Sequence, residues 1–236
     1  MGSIYLIRHG QASFGCDDYD VLSSIGMRQS EALGAHLVQL GVQFDRCLAG
    51  DLRRQQDTAR LALGAMHDAG IAVPEVETDV AFNEFDADAV IRALLPGLLP
   101  DEPEALHVLR NAREHRAEFQ RLFALIVQRW HSGQYDREGL ESWAAFVQRT
   151  GDGLQRVLDQ AAGGGNIAIF TSGGTIAALL HRITGVSPSQ AFELNWQIIN
   201  TSLNQLKFRG SEVTLASFNS QAHLRLLRVP ELVTWR

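Results

Sequence analysis

Four apolar residues in an unbroken run, Ile4-Tyr5-Leu6-Ile7, end on Arg8-His9-Gly10, and late in the chain Ile167 to Phe170 runs in the same way into Thr171-Ser172-Gly173-Gly174. At residues 4 to 7 the short apolar run predicts a strand buried on both faces, the kind a parallel sheet holds at its centre, and the later run predicts a strand leading into a glycine turn and a helix. Between the two runs lie segments of helical period. Ser23 or Ser24 can cap a helix carrying Leu33, Leu37 and Leu40, closed by Gly41. A weak strand follows over Phe44 to Ala49. A second helix from about Asp51 puts Ala59, Ala62, Leu63 and Met66 on one face and stops at Gly70. An extended stretch, Val73 to Val80, leads to Glu84, which is expected where another strand ends. The alternation predicts an α/β fold, a three-layer α/β/α sandwich with a mostly parallel central sheet. Ligands of such sheets bind beyond the carboxyl ends of the strands.

Residues 86 to about 140 break this alternation with helical material punctuated by Pro96, Pro100 and Pro103. They are expected to form a helical cap insertion in a single domain spanning residues 1 to 236. Phe119, Leu122, Phe123, Ile126, Val127 and Trp130 make one apolar stripe; Trp143, Phe146, Val147, Leu154, Val157 and Leu158 make another, both read as core. "LNQLKF" and "VTLASF" are expected as two closing strands.

A net charge of −6 and a pI near 5.7 leave no basic footprint for nucleic acid or an anionic membrane, so the cations for an anionic ligand must be local. Two cysteines, Cys16 and Cys47, have no metal or disulfide spacing, which suits a reducing compartment, the cytoplasm. The start Met1-Gly2-Ser3 resembles a myristoylation signal, but Leu6 stands where Ser or Thr is required. Asn200-Thr201-Ser202 matches a glycosylation acceptor that carries no weight without secretion.

The motifs "LIRHGQAS", then "DLRRQQDTA", then a glutamate near residue 84, then strand-"SGG"-helix, together resemble the histidine phosphatase superfamily, with its phosphoglycerate-mutase-like fold. The resemblance runs over residues 4 to 208. It implies that His9 is the phosphate-accepting nucleophile, that Arg8 and Arg54 clamp the phosphoryl group, and that Glu84 is the proton donor. Family spacing from Leu52 to Thr58-Ala59 favours Arg54 over Arg53; Glu84 is preferred to Asp86 and Asp88 in an acidic run that could simply be a hydrated loop. The chemistry suits the residues. Phosphoryl transfer spreads charge over oxygens, which planar guanidinium forks hold in pairs, and a neutral imidazole can attack. Gly10 is expected to bring backbone N–H groups near the phosphate.

Ser172 stands where the family's usual second histidine is expected, and Gly15 where its usual asparagine is. Ser172 and Gly173, at the start of a helix whose N–H groups favour an anion, are read as phosphate-binding. Loss of the charged donor at 172 is expected to slow the reaction about tenfold. His223 is a candidate to fill the gap. Arg110, Arg113, His115 and Arg116, on an expected cap helix, either greet a second anionic group or form a solvated face.

The resemblance thus implies a phosphomonoester hydrolase acting through phosphohistidine on a small phosphorylated metabolite or phosphoprotein; the mechanism calls for no cofactor or metal, and the charge balance gives no expectation of a nucleic-acid or membrane partner. A weakened phosphate-binding protein and a phosphoglycerate-type mutase stay open. A serine-hydrolase elbow built on Ser172, with His223 oriented by Glu193 or Glu212, fits poorly because Phe170 stands where that elbow needs glycine.

Overall fold

The computed structural model describes residues 1–13, 20–112, 114–161 and 163–235, so Gly15, Cys16 and Arg113 lie outside the described residues. In chain order stand β1 (Gly2–Arg8), α1 (Ser24–Gln39), β2 (Arg46–Ala49), α2 (Arg53–Asp68), β3 (Val76–Thr78), α3 (Ala87–Leu94), α4 (Ala105–Arg110), α5 (Arg116–His131), α6 (Trp143–Gln160), β4 (Gly165–Thr171), α7 (Gly173–Thr184), α8 (Pro188–Gln197), β5 (Leu203–Arg209), β6 (Glu212–Ser220) and α9 (Ala222–Leu226). The chain divides into two compact units, one of Met1–Glu84 with Arg149–Arg236 and one of Phe85–Gln148.

The larger unit holds a six-stranded sheet in the order β3-β2-β4-β1-β5-β6. The first four run parallel; β5 is antiparallel to β1, and β6 returns beside β5 as a hairpin. This is a mostly parallel α/β sheet with helices on both faces. Alternation within the strands builds two cores. Ile4, Leu6, Ile167 and Ile169 point to one face, against Leu154 and Val157 of α6 and Ile176 and Leu179 of α7. Ile7, Ala168 and Phe170 point to the other, against Leu33 and Leu37 of α1 and Ala59, Ala62 and Met66 of α2. The two runs that had no polar break are therefore adjacent central strands, paired with Arg8 opposite Thr171. That register puts His9 and Ser172 one step beyond neighbouring strand ends.

Three expectations for this unit need correction. Leu40 is 56% exposed, because the helix ends at Gln39 and the chain turns away from the core through Gly41 at φ +64°. The stretch from Val73 to Val80 gives only a three-residue strand, since Pro74 has no N–H for a ladder and Asp79 caps a short turn over Val80–Phe82 by accepting from Ala81 N. Glu84 consequently sits on the loop after that turn and not at a strand end.

The smaller unit contains α3, α4, α5 and the start of α6. Leu122, Ile126, Val127 and Trp130 form the buried face of α5, and the Phe85 ring stacks on Trp130 at 4.5 Å with Phe146 edge-on at 5.6 Å. Arg110 ends α4, while His115 stands at the N-cap position of α5 without a side-chain capping bond and Arg116 begins that helix, so these side chains flank a turn and do not share one helix. No described helix is long and apolar enough to cross a membrane.

Candidate active site

The carboxyl ends of β1 and β4 collect the polar residues that the core excludes. His9, 4% exposed, follows β1, and its main chain is pinned from both sides: its N–H donates to Thr171 O at 2.8 Å, and Asn200 Nδ2 donates to its carbonyl at 3.0 Å. Its ring is oriented as firmly. Nδ1 lies 2.7 Å from Gly10 O, a group that can only accept, so Nδ1 carries the hydrogen and Nε2 keeps its lone pair. Arg54 Nε donates to that lone pair at 3.3 Å. Burial, then the Arg54 and Arg8 charges, hold the imidazole well below its ordinary pKa, so the ring is neutral.

Arg54 and Arg8 are 8% and 9% exposed. Arg8, the last residue of β1, donates to Ile198 O. Arg54, the second residue of α2, has its side chain inward, where NH1 meets Asp20 Oδ1 at 2.7 Å. Arg53 turns outward, its side chain 62% exposed and paired with Asp57. Asp20 also accepts from Arg53 N at 2.8 Å, so one carboxylate both caps α2 and braces Arg54.

Glu84 is delivered by a pinned segment. Phe82 O accepts from Thr171 Oγ1 and Gln55 Nε2, and Asn83 exchanges side-chain and backbone bonds with Asp51 while its carbonyl accepts from Thr175 Oγ1 and Arg149. The Glu84 carboxylate then accepts the Gly174 N–H at 2.9 Å, at the start of α7. Asp86 is used otherwise, capping α3 through Ala89 N, and Asp88 lies in the first turn of that helix. Ser172 is fully buried and bonded to Gln55, and a Cβ at Gly173 would collide with Asn195 Oδ1 and come within 3.6 Å of Arg8 Nε. His9, Arg8, Arg54, Glu84, Ser172 and Gly173 therefore all stand at one end of the larger unit's sheet.

Two expected roles change. Gly10 does not hold its N–H out for a ligand: it donates to Thr58 Oγ1 at 2.9 Å, and a Cβ there would come within 2.5 Å of Gly26 O, so glycine is required for α1 to approach. His223 does not fill the gap at Ser172. Thr201 gives its own hydroxyl hydrogen to Asn200 O, so its oxygen accepts from His223 Nε2 at 2.9 Å, which holds that ring behind the His9 backbone. Thr201 N in turn donates to Arg8 O at 3.0 Å. Asn200 is fully buried, so its acceptor motif is structural. Cys47 is a buried free thiol pushed up to about 12, beyond nucleophilic use. No cluster of three or more His, Cys, Asp or Glu side chains fit for a metal ion occurs among the described residues.

Burial, with the nearby His36 charge second, lowers His223 to about 3. The folded state thus refuses protons that unfolded histidine takes up below about 6.5. Stability is expected to be full above that pH and to fall as pH drops toward 3, by roughly 1 kcal/mol per pH unit for each such histidine. Urea midpoints across this range should decline less steeply in His223→Asn than in wild type; parallel declines would contradict the assignment.

The sequence profile of the histidine phosphatase superfamily (branch 1) matches residues 4–90 and 106–221. A 2,3-bisphosphoglycerate-dependent phosphoglycerate mutase of Allorhizobium ampelinum is 34% identical over 92 residues, 36% of this chain and 42% of that enzyme, so the match spans less than half of the relative. Among solved structures, YhfR of Bacillus stearothermophilus superposes with a TM-score of 0.67 at 17% identity, covering 95% of this chain and 100% of that one. Phosphoserine phosphatase of Entamoeba histolytica in complex with 3-phosphoglyceric acid gives 0.63 at 19% identity, with coverage of 95% and 100%. At these identities the structures speak for the fold.

Proposed function

The chain belongs to the histidine phosphatase superfamily, branch 1, and on that premise we propose that it is a phosphomonoester hydrolase that works through a phosphohistidine on His9. The observation that carries the reading is the fixed tautomer: Gly10 O takes the Nδ1 hydrogen, and Nε2 faces Arg54 with its lone pair. In the first step Nε2 attacks phosphorus as the ester P–O bond breaks, and Glu84 gives a proton to the departing alkoxide. In the second, Glu84 draws a proton from water, the water oxygen bonds to phosphorus, the P–N bond breaks, and phosphate leaves a neutral His9. Arg8 and Arg54 hold the equatorial oxygens throughout, and charge neutralisation by fixed donors is the main contribution such a site makes. Ser172 and Gly173 complete the cradle.

A small phosphorylated metabolite or a phosphoprotein in the cytoplasm is the substrate class we propose. The phosphatase and mutase names among the relatives both support phosphoryl transfer. Hydrolysis is preferred because a mutase must shield its phosphohistidine from water with several matched cations, and Arg110, His115 and Arg116 are divided by a turn. Incubation of the pure protein with phosphorylated metabolites and phosphopeptides, followed by phosphate assay, is expected to show release from at least one monoester. Isomerisation of phosphoglycerate without phosphate release would favour the mutase, and hydrolysis confined to carboxylic esters would overturn both.

A further inference from the structure

Ser172 has the extended conformation of a helix N-cap, yet its hydroxyl does not cap α7. The Gly174 N–H, which an N-cap serine would ordinarily take, donates instead to Glu84 Oε2. The hydroxyl is turned to Gln55, whose Nε2 donates to Ser172 Oγ at 2.8 Å and to Phe82 O at 3.1 Å. Both side chains are fully buried.

The direction of these bonds follows from the donors. Phe82 O can only accept, so the amide nitrogen of Gln55 must face it, and that nitrogen has only hydrogens to offer Ser172. Ser172 Oγ is therefore an acceptor from Gln55, and its own hydrogen finds no acceptor among the described residues. A buried hydroxyl hydrogen left without a partner is unfavourable unless a ligand supplies one. Ser172 stands one residue past Thr171, the partner of Arg8, just as His9 stands one past Arg8. An oxygen of a group on His9 is the acceptor this register offers.

We infer that Gln55 is a positioning residue that makes Ser172 an obligate donor toward the phosphoryl group, so that the two act as one unit. The inference rests on the phosphoryl-transfer reading above. It is tested by a double-mutant cycle of Ser172→Ala, Gln55→Met and the pair, read both as kcat/KM on a phosphomonoester and as affinity for inorganic vanadate. Each single change is expected to weaken both readouts about tenfold, and the pair no further than either one. A merely structural Gln55 would give independent losses, about a hundredfold in the pair, and that result overturns the inference. Gln55→Glu is the second probe should Gln55→Met fail to fold. Its carboxylate can only accept, so it draws the Ser172 hydrogen away from the site and should cost more than tenfold, a loss that disappears in the Ser172→Ala background; equal losses in both backgrounds overturn the inference. Vanadate binding needs no turnover: a wild type that binds it without hydrolysing any ester sinks the hydrolase reading alone, and one that does not bind it sinks both.

Discussion

His9→Ala is expected to reduce phosphomonoester hydrolysis by at least about 10⁴-fold while the protein stays folded, as the loss of a covalent nucleophile does elsewhere. The bonds that hold the His9 main chain, from His9 N to Thr171 O and from Asn200 Nδ2 to His9 O, do not involve the ring and survive the substitution. What is lost is one side chain at the end of a strand, so the thermal midpoint should move by a few degrees at most while activity disappears. Circular dichroism and a phosphate assay on the same sample separate the two effects. Hydrolysis within tenfold of wild type would mean that water or another residue attacks phosphorus.

The second large effect is at Arg54. Arg54→Met removes a donor fork and a positive charge together and should lower kcat/KM by about 10² to 10³-fold, the usual cost of one donor to transition-state charge. The same change predicts a shift in pH dependence. The Arg54 charge is one cause of the lowered His9 pKa, second to burial, so its removal lets the pKa rise. Protonated His9 cannot attack, and the acid limb of the kcat/KM profile therefore moves to higher pH. Arg54→Lys keeps the charge but loses the planar fork, so it should lose rate while leaving the acid limb near its original place. An Arg54→Met enzyme with an unmoved limb would show that the guanidinium does not face the imidazole.

The first central strand was legible because its apolar run leaves no polar face, which suits a strand covered by helices on both sides of a sheet. The polar residues at the strand ends were legible as motifs. The scaffold behind them was not, because its partners are remote in sequence. Gln55 and Ser172 are separated by 117 residues, and Asn200 and His9 by 191. Asp20, Gln55, Asn200 and Thr201 have the composition of a surface and read as surface until the fold brings their partners to them. One signal was present for Gln55: it stands four residues before Ala59 and seven before Ala62, and so extends the buried stripe of α2 back to the helix start. A polar side chain on a buried stripe needs a partner. Leu40 shows the reverse failure, since it kept the helical period but fell one residue past the helix end, where the period no longer fixes a direction.

Covalent catalysis by His9 is tested most directly by trapping its intermediate. Rapid acid-free quenching of the enzyme with a radiolabelled phosphomonoester, followed by peptide mapping, should find label that is stable in alkali, lost in acid, attached to His9 and absent from His9→Ala. Turnover at full rate with no protein-bound label, or label on Ser172 instead, would contradict it.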